Sequence, residues 1–297
     1  MHDHPASRPK WRRTAALGLV LAAATLTLSA CGLAGAQGDI SNGYLPHGVT
    51  DGADRVRTLW IGAWLAALFV GVIVWGLTAW CIVAYRRRKD ETGLPVQLRY
   101  NVPIEILYTV VPVFMIAVLF FYTARDESAL LDNSAKPDLT INVVAKQWSW
   151  DFNYVDANTY ESGTQAELTG KPGVEGTLPT LYLPVNKRVQ FVLTARDVIH
   201  SFWVPAFLQK LDMIPGRVNR FQVETKEMGE FAGKCAELCG AYHSRMLFNV
   251  KVVDEATYEQ HLADLRARGN TGQLDNTLNR THILNEDDHL LPTTGSQ

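Results

Sequence analysis

Two long apolar runs, at about 59–84 and 102–122, restrict the chain most severely. Each is long enough to cross a hydrocarbon layer of about 30 Å as a helix. In lipid the backbone must satisfy its own hydrogen bonds, so a helix is the only open form available to such a run. Arg86-Arg87-Arg88-Lys89 follows the first run directly, and a basic cluster of this kind stays on the cytoplasmic side. Residues 58–124 therefore read as a transmembrane hairpin with both outer flanks on the far side of the membrane. Pro103 opens the second run, where a helix tolerates proline, and Pro112 lies inside it as a candidate kink. Cys81 reads as an inert membrane thiol. Glu105 stands near the cytoplasmic end of the second run. A carboxylate at membrane depth is costly and is a functional candidate, whereas one at headgroup level is simply solvated.

The start of the chain agrees with this orientation. Lys10, Arg12 and Arg13 precede an apolar stretch at 14–28, too short for a comfortable span. Leu28-Ser29-Ala30-Cys31 then resembles a bacterial lipobox, in which the cysteine is lipidated and becomes the first mature residue. Residues 1–30 read as a signal peptide of lipoprotein type, with Cys31 the lipidation site. A plain signal peptide with an incidental cysteine is the alternative. Residues 31–57, glycine-rich with Pro46, form an exported N-terminal segment.

Beyond the second run the pattern changes. Arg125 to Pro137 reads as a charged linker. Short alternating runs follow at 139–143, 148–154, 181–185, 189–193, 220–224 and 247–253, rich in aromatic and β-branched residues. Residues 138–254 are thus expected to form a small all-β sandwich or barrel. Residues 156–179 are polar and carry three turn signals, so they read as a loop or hairpin insertion. Asp254 is the expected N-cap of an amphipathic helix ending near Arg268. Within 255–297, the part after that helix reads as a polar, disordered tail, with His282 and His289 incidental. The formal net charge of −2 gives no general attraction to nucleic acid.

Within the β region, Cys235-Ala-Glu237-Leu-Cys239-Gly-Ala-Tyr-His243-Ser-Arg-Met246 gathers two thiols, an imidazole and a thioether in twelve residues. Soft thiolate and thioether ligands select copper, and imidazole suits it too. Zinc takes Cys and His but gains little from Met. An exported protein can also oxidise such a cysteine pair to a disulfide, which leaves His243 and Met246 without a role. The i, i+4, i+8 spacing would line up three ligands on a helix. Gly233, Gly240 and the flanking strand patterns favour a loop between strands instead. His200, at the end of an expected strand, is placed to supply another ligand. The second cysteine exceeds what a mononuclear blue-copper site needs, which suggests that both sulfurs bridge two copper ions.

The motif Cys235-x-Glu237-x-Cys239-x-x-x-His243-x-x-Met246, with upstream His200 and two preceding spans, resembles subunit II of cytochrome c oxidase. The resemblance runs from about Trp60 to Val253. It implies a cupredoxin-like sandwich carrying a dinuclear, mixed-valence copper centre bridged by Cys235 and Cys239. His200 and Met246 would complete one copper, and His243 with the Glu237 carbonyl the other. The Glu237 side chain would help hold a magnesium ion shared with subunit I. Trp148, in Lys146-Gln-Trp148-Ser-Trp150, would receive electrons from the donor, although by its residues alone it reads as a packed strand aromatic. Glu105 would stand at the mouth of a proton path. The implied partners are oxidase subunits I and III and a cytochrome c, either soluble or membrane-bound in a bc-type complex. Haem belongs to the partner subunit only; without a Cys-x-x-Cys-His motif this chain carries no haem c. The implied setting is a bacterial plasma membrane, with both termini on the outer face.

The insertion at 156–179 departs from the commonest pattern and leaves the donor open. A soluble cytochrome c usually docks on acidic patches, for which Asp156, Asp197 and Asp212 are available. Three other functions compete. A quinol oxidase subunit would lack the copper ligands. A copper chaperone or sensor lipoprotein would need an exposed, exchangeable site. A structural zinc module would hold zinc in the same loop.

Overall fold

A computed structural model describes residues 42–87, 93–94, 97, 99–167 and 177–277. The expected signal peptide 1–30, Cys31, Arg88 and Lys89, residues 168–176, and both His282 and His289 lie outside them.

Two helices form the hairpin: α1 (Ala53–Ala84) and α2 (Val102–Leu130). Their most apolar windows have mean hydropathies of 2.3 and 2.4, and those windows are not buried within the protein. Apolar faces left open in this way suit a lipid surround. The start of α2 is built locally. Asn101 caps it by accepting the Ile104 N–H, and Glu105 accepts the Asn101 N–H in return at 2.9 Å. Pro103 occupies the first turn, and Pro112 lies within the helix.

The charged linker expected from Arg125 onward is helical as far as Leu130. Its charges are matched within the fold. The buried Asp126 carboxylate accepts from Arg125 on its own helix and from Arg55 on the first turn of α1. The same contact pins together the ends of the two helices nearest the sandwich.

The described residues of the β region form ten strands: β1 (Leu139–Lys146), β2 (Ser149–Tyr154), β3 (Thr159–Ser162), β4 (Thr180–Pro184), β5 (Arg188–Ala195), β6 (His200–Val204), β7 (Gln209–Met213), β8 (Asn219–Glu224), β9 (Gly229–Cys235) and β10 (Leu247–Val253). They make two five-stranded sheets, in the orders β3-β2-β1-β5-β8 and β4-β10-β9-β6-β7. β1 runs parallel to β5, and β10 parallel to β4; the other pairs are antiparallel. Alternate residues of both sheets meet in an aromatic core. Phe202 stacks on Phe248 at 5.1 Å, Phe191 on Phe221 at 5.1 Å, and Trp150 meets Phe248 edge-on at 5.0 Å. This is the expected sandwich, closed between its two inner faces.

Strands β3, β6, β7 and β9 are not among the expected ones. In β9 the pattern is broken by Gly233, and the core is the reason. A Cβ at Gly233 would lie 2.1 Å from the Phe248 ring, so the strand needs glycine where its partner strand carries a large aromatic. Strands β6 and β7 are joined by a single turn (Pro205–Phe207), with Leu208 in left-handed backbone at φ 54°. β3 shows that the start of the 156–179 insertion is a hairpin on β2, turning at Asn158 with φ 51°.

A third helix, α3 (Glu255–Ala267), is capped by Asp254, whose carboxylate accepts the Thr257 N–H at 2.9 Å. It buries Tyr258, Leu262 and Leu265 against the sandwich. The described part of the tail, 270–277, is ordered rather than loose. It crosses β1 and β2, where Leu274 and Asn153 exchange hydrogen bonds at 2.8 and 3.0 Å, and Asn276 donates to Asn142. Asn142 and Asn153 are fully buried polar residues on the outer face of their sheet. The strap adds to the bonds that Asn142 donates to the Val192 carbonyl and Thr194, and that Asn153 donates to Asn142; burying such groups unpaired would be costly.

Candidate metal centre

The loop between β9 and β10 and the start of β6 meet at one rim of the sandwich. β6 and β9 are paired with Phe202 opposite Cys235, which brings His200 alongside the loop. The Cys235 N–H donates to the Met246 carbonyl at 3.0 Å, closing the loop at its base, and the Ala236 N–H donates to Ser201 at 3.1 Å. A single turn, His243–Arg245, then carries the chain into β10. The helical alternative for this segment is therefore not adopted.

Six donors converge. The Cys235 and Cys239 sulfurs are 3.8 Å apart, so the pair is free and not a disulfide. His200 Nδ1 lies 3.9 Å from the Cys235 sulfur, and the Glu237 carbonyl 3.2 Å from it. His243 Nδ1 and Met246 Sδ lie 3.5 and 3.8 Å from the Cys239 sulfur. His200, Cys235, Cys239 and Met246 are buried, and His243 is half-buried. His200, Cys235 and Cys239 are close enough together to hold a metal ion. A cluster so rich in soft donors, with one donor set around each sulfur, fits soft metal ions better than any hydrophobic role.

The surroundings orient these donors. Asp197 accepts from His200 Nε2 at 2.7 Å, which leaves Nδ1 facing the sulfur. The same carboxylate accepts the backbone N–H groups of Gln147 and Val198. Gln147 and Trp148 in turn donate their side-chain N–H groups to the Cys239 carbonyl at 2.8 and 3.2 Å. The Trp150 indole donates to the Met246 carbonyl at 3.3 Å. Burial opposes ionisation of both thiols. At Cys235, hydrogen bonds from His200 and from backbone N–H groups outweigh burial and bring the pKa to about 7. At Cys239, burial and the neighbouring Cys235 charge push it up to about 12. Burial opposes the His200 cation, but its bond to Asp197 and its closeness to Cys235 raise its pKa. One thiolate thus forms readily, while the second needs a cation beside it, as thiolate ligands of a metal do.

Trp148 is not a strand core residue. It precedes β2, half-buried, packed edge-on against exposed Tyr242 at 4.9 Å. Glu105 lies far from the donor cluster, about 37 Å along α2 from Leu130 at 1.5 Å per residue. Its carboxylate serves the helix cap described above. Asp197, counted above among the acidic docking candidates, is engaged with His200, and Asp156 accepts the Thr140 N–H at 2.6 Å. The roles of Asp197 and Gln147 were not anticipated from the sequence. The Asp-x-x-His spacing of Asp197 and His200 was the available signal for the first, and nothing marked the second.

Residues 139–253 match the family described as cytochrome c oxidase subunit II, periplasmic domain. The chain is 49% identical to a probable cytochrome c oxidase subunit 2 of Streptomyces avermitilis, over 89% of each chain. It is 36% identical to the cytochrome c oxidase subunit 2 of Mycobacterium tuberculosis, over 84% of this chain and 81% of that one. Among solved structures it is similar to the periplasmic domain of subunit II of cytochrome oxidase from Bradyrhizobium japonicum. There the identity is 34%, the TM-score 0.42, and the match covers 45% of this chain and 97% of that one.

Proposed function

Because the chain belongs to the cytochrome c oxidase subunit II family, with a two-helix hairpin and a cupredoxin-like sandwich, we propose that it is where electrons come into a haem–copper oxidase. It accepts them from a cytochrome c donor and passes them to the haem of subunit I, in support of oxygen reduction and proton pumping. The observation that carries this reading is the convergence of His200, Cys235, Cys239, His243, Met246 and the Glu237 carbonyl on one rim.

These residues suit a dinuclear copper centre with both sulfurs bridging. His200 and Met246 would complete one ion, and His243 with the Glu237 carbonyl the other. When bound, such a pair supplies reversible one-electron oxidation and reduction, shared between two ions. The protein's part is to hold the ligands still and dry. Asp197 fixes the His200 ring, the Trp150 and Cys235 N–H groups fix the Met246 carbonyl, and the aromatic core stiffens both strands beneath. With copper bound, this donor set would fill both ions, so the subunit would supply no open position for bond-making chemistry.

Trp148 is the proposed point of contact with the donor, since its ring is partly exposed and its N–H reaches the Cys239 carbonyl directly. The Glu237 side chain is exposed beside the site, available to a magnesium ion shared with subunit I. Glu105 is proposed for the cytoplasmic mouth of a proton path. The basic residues from Arg86 onward support a reading with both termini on the outer face of a bacterial plasma membrane, where Cys31 would be lipidated. Subunits I and III are the expected assembly partners. The donor is a cytochrome c, soluble or membrane-bound in a bc-type complex.

Purification of the assembled complex tests the reading. The chain should come out of membranes with a haem-bearing large subunit and two coppers per copy. Cys239→Ser should abolish the mixed-valence copper spectrum. Zinc in place of copper, or an unaltered spectrum in the variant, would overturn it.

A further inference from the structure

Between α1 and α2 lies an apolar groove of about 880 Å³, lined at the end of the hairpin nearest the sandwich by Thr58, Tyr122, Arg125 and Asp126. Its floor is made by Gly62, Ala63, Ala66 and Ala67, whose small side chains leave the space open. Phe114 and Leu119 of α2 form the facing wall. Along α1 it reaches from Thr58 to Val70, about 18 Å at 1.5 Å per residue. That is close to half of a hydrocarbon layer about 30 Å thick, the depth that one acyl chain occupies.

The polar end carries the second observation. Asp126 Oδ1 takes both guanidinium groups, from Arg125 at 2.8 and 2.9 Å and from Arg55 at 3.1 Å. One buried carboxylate against two cations leaves the cluster at +1. The Asp126 side chain is 5% exposed, while those of Arg125 and Arg55 are 51% and 44% exposed. Each guanidinium has five N–H donors in a fixed fork, and only some of them are spent on Asp126. Arg125 also lies over the Tyr122 ring at 4.9 Å, and the half-exposed remainder of both guanidiniums stays open to a ligand. The first turn of α1, which holds Arg55, adds the positive end of a helix.

We propose that this groove is a binding site for an anionic phospholipid of the outer leaflet. Its phosphodiester sits on Arg125 and Arg55, and one acyl chain lies in the groove over Gly62, Ala63, Ala66 and Ala67. Charge and length select this occupant together. A partner helix, 10–12 Å across with its side chains, would fill the groove but would not by itself bring an anion to the two guanidiniums. The site is separate from the copper rim and does not depend on what that rim binds; it requires only that the hairpin spans the membrane with its Arg55 and Arg125 end on the outer side.

The test uses the assembled complex in its membrane, with an anionic phospholipid probe carrying a photoreactive acyl chain. Labelling is expected on the α1 segment 62–70 and the α2 segment 114–119. Arg125→Gln should reduce it about tenfold, the equivalent of one lost charge-assisted contact. Arg125→Lys, which keeps the charge, should retain most of it. Ala66→Phe fills the groove without touching the ion cluster and should abolish labelling there. Equal labelling in wild type and Ala66→Phe, equal loss in Arg125→Lys and Arg125→Gln, or crosslinks from the groove to a partner subunit instead of the probe would each overturn the proposal.

Discussion

Single residues decide how tightly the rim that gathers the metal-ligand candidates is held. Asp197 makes three hydrogen bonds, to His200 and to two backbone N–H groups, one of them at Gln147. Through Gln147 and Trp148 it is tied to the Cys239 carbonyl, so the proposed contact with the donor and the ligand loop move as one piece. Gly240 shows the same closeness: a Cβ there would lie 3.1 Å from the Trp148 ring, and its φ of 125° already disfavours any other residue. Gly233 is limited by space instead. Gly233→Ala should destabilise the exported domain by roughly 1–3 kcal/mol through overpacking on Phe248, read as a lower urea midpoint. An unchanged midpoint would mean that the ring moves aside freely.

At the scale of elements, α3 acts as a clamp on the open edge of the sandwich. Its capping residue is exposed, so its contribution can be measured without disturbing the core. Asp254→Ala should cost about 1 kcal/mol in urea unfolding of the exported domain, and no change would remove the cap from the account. His261 on the same helix is stacked on Tyr182 at 3.8 Å, with its Nε2 buried and unpaired. Burial, and then the charge of Arg268, push its pKa down to about 4. In the unfolded chain a histidine titrates near 6.5. As pH falls from about 6.5 to about 4, the unfolded state takes up a proton that the folded state refuses, so stability falls across that window. His261→Phe keeps the ring against Tyr182 and removes the proton. Its stability should depend less on pH between those limits than that of the wild type, and parallel pH profiles would count against the assignment.

At the scale of the whole molecule, two surfaces hold the parts together. The hairpin joins the sandwich through its nearer ends: Asp51 pairs with Arg188, and the Gln209 side chain donates to the Leu130 carbonyl. The strap at 270–277 covers the polar ladder of Asn142 and Asn153 on the outer face of β1 and β2. Ending the chain after Gly269 should destabilise the sandwich by about 1–3 kcal/mol, because Asn153 loses both bonds to Leu274 and Asn142 loses the one from Asn276. Hydrogen exchange at Asn142 and Asn153 should quicken in that variant, and protection equal to wild type would show the strap to be idle.

By itself the sequence determined the two apolar helices, the strand-rich character of the part that follows them, the Asp254 cap and the crowding of soft donors in one loop. Each rests on local information: apolar length, period-two alternation, a capping side chain, and soft ligands crowded into one loop. Tertiary structure alone decided what depends on distant neighbours. Strand β9 is hidden in the sequence because Gly233 answers to Phe248 across the sheet. The helix continues past Arg125 because its charges find Arg55 on the other span. The tail is ordered because it meets asparagines more than 120 positions away. His200 became a ligand candidate by its place at a strand end, but only the pairing of β6 with β9 sets it 3.9 Å from the Cys235 sulfur. A pattern along one segment cannot encode a partner that folding has yet to bring near.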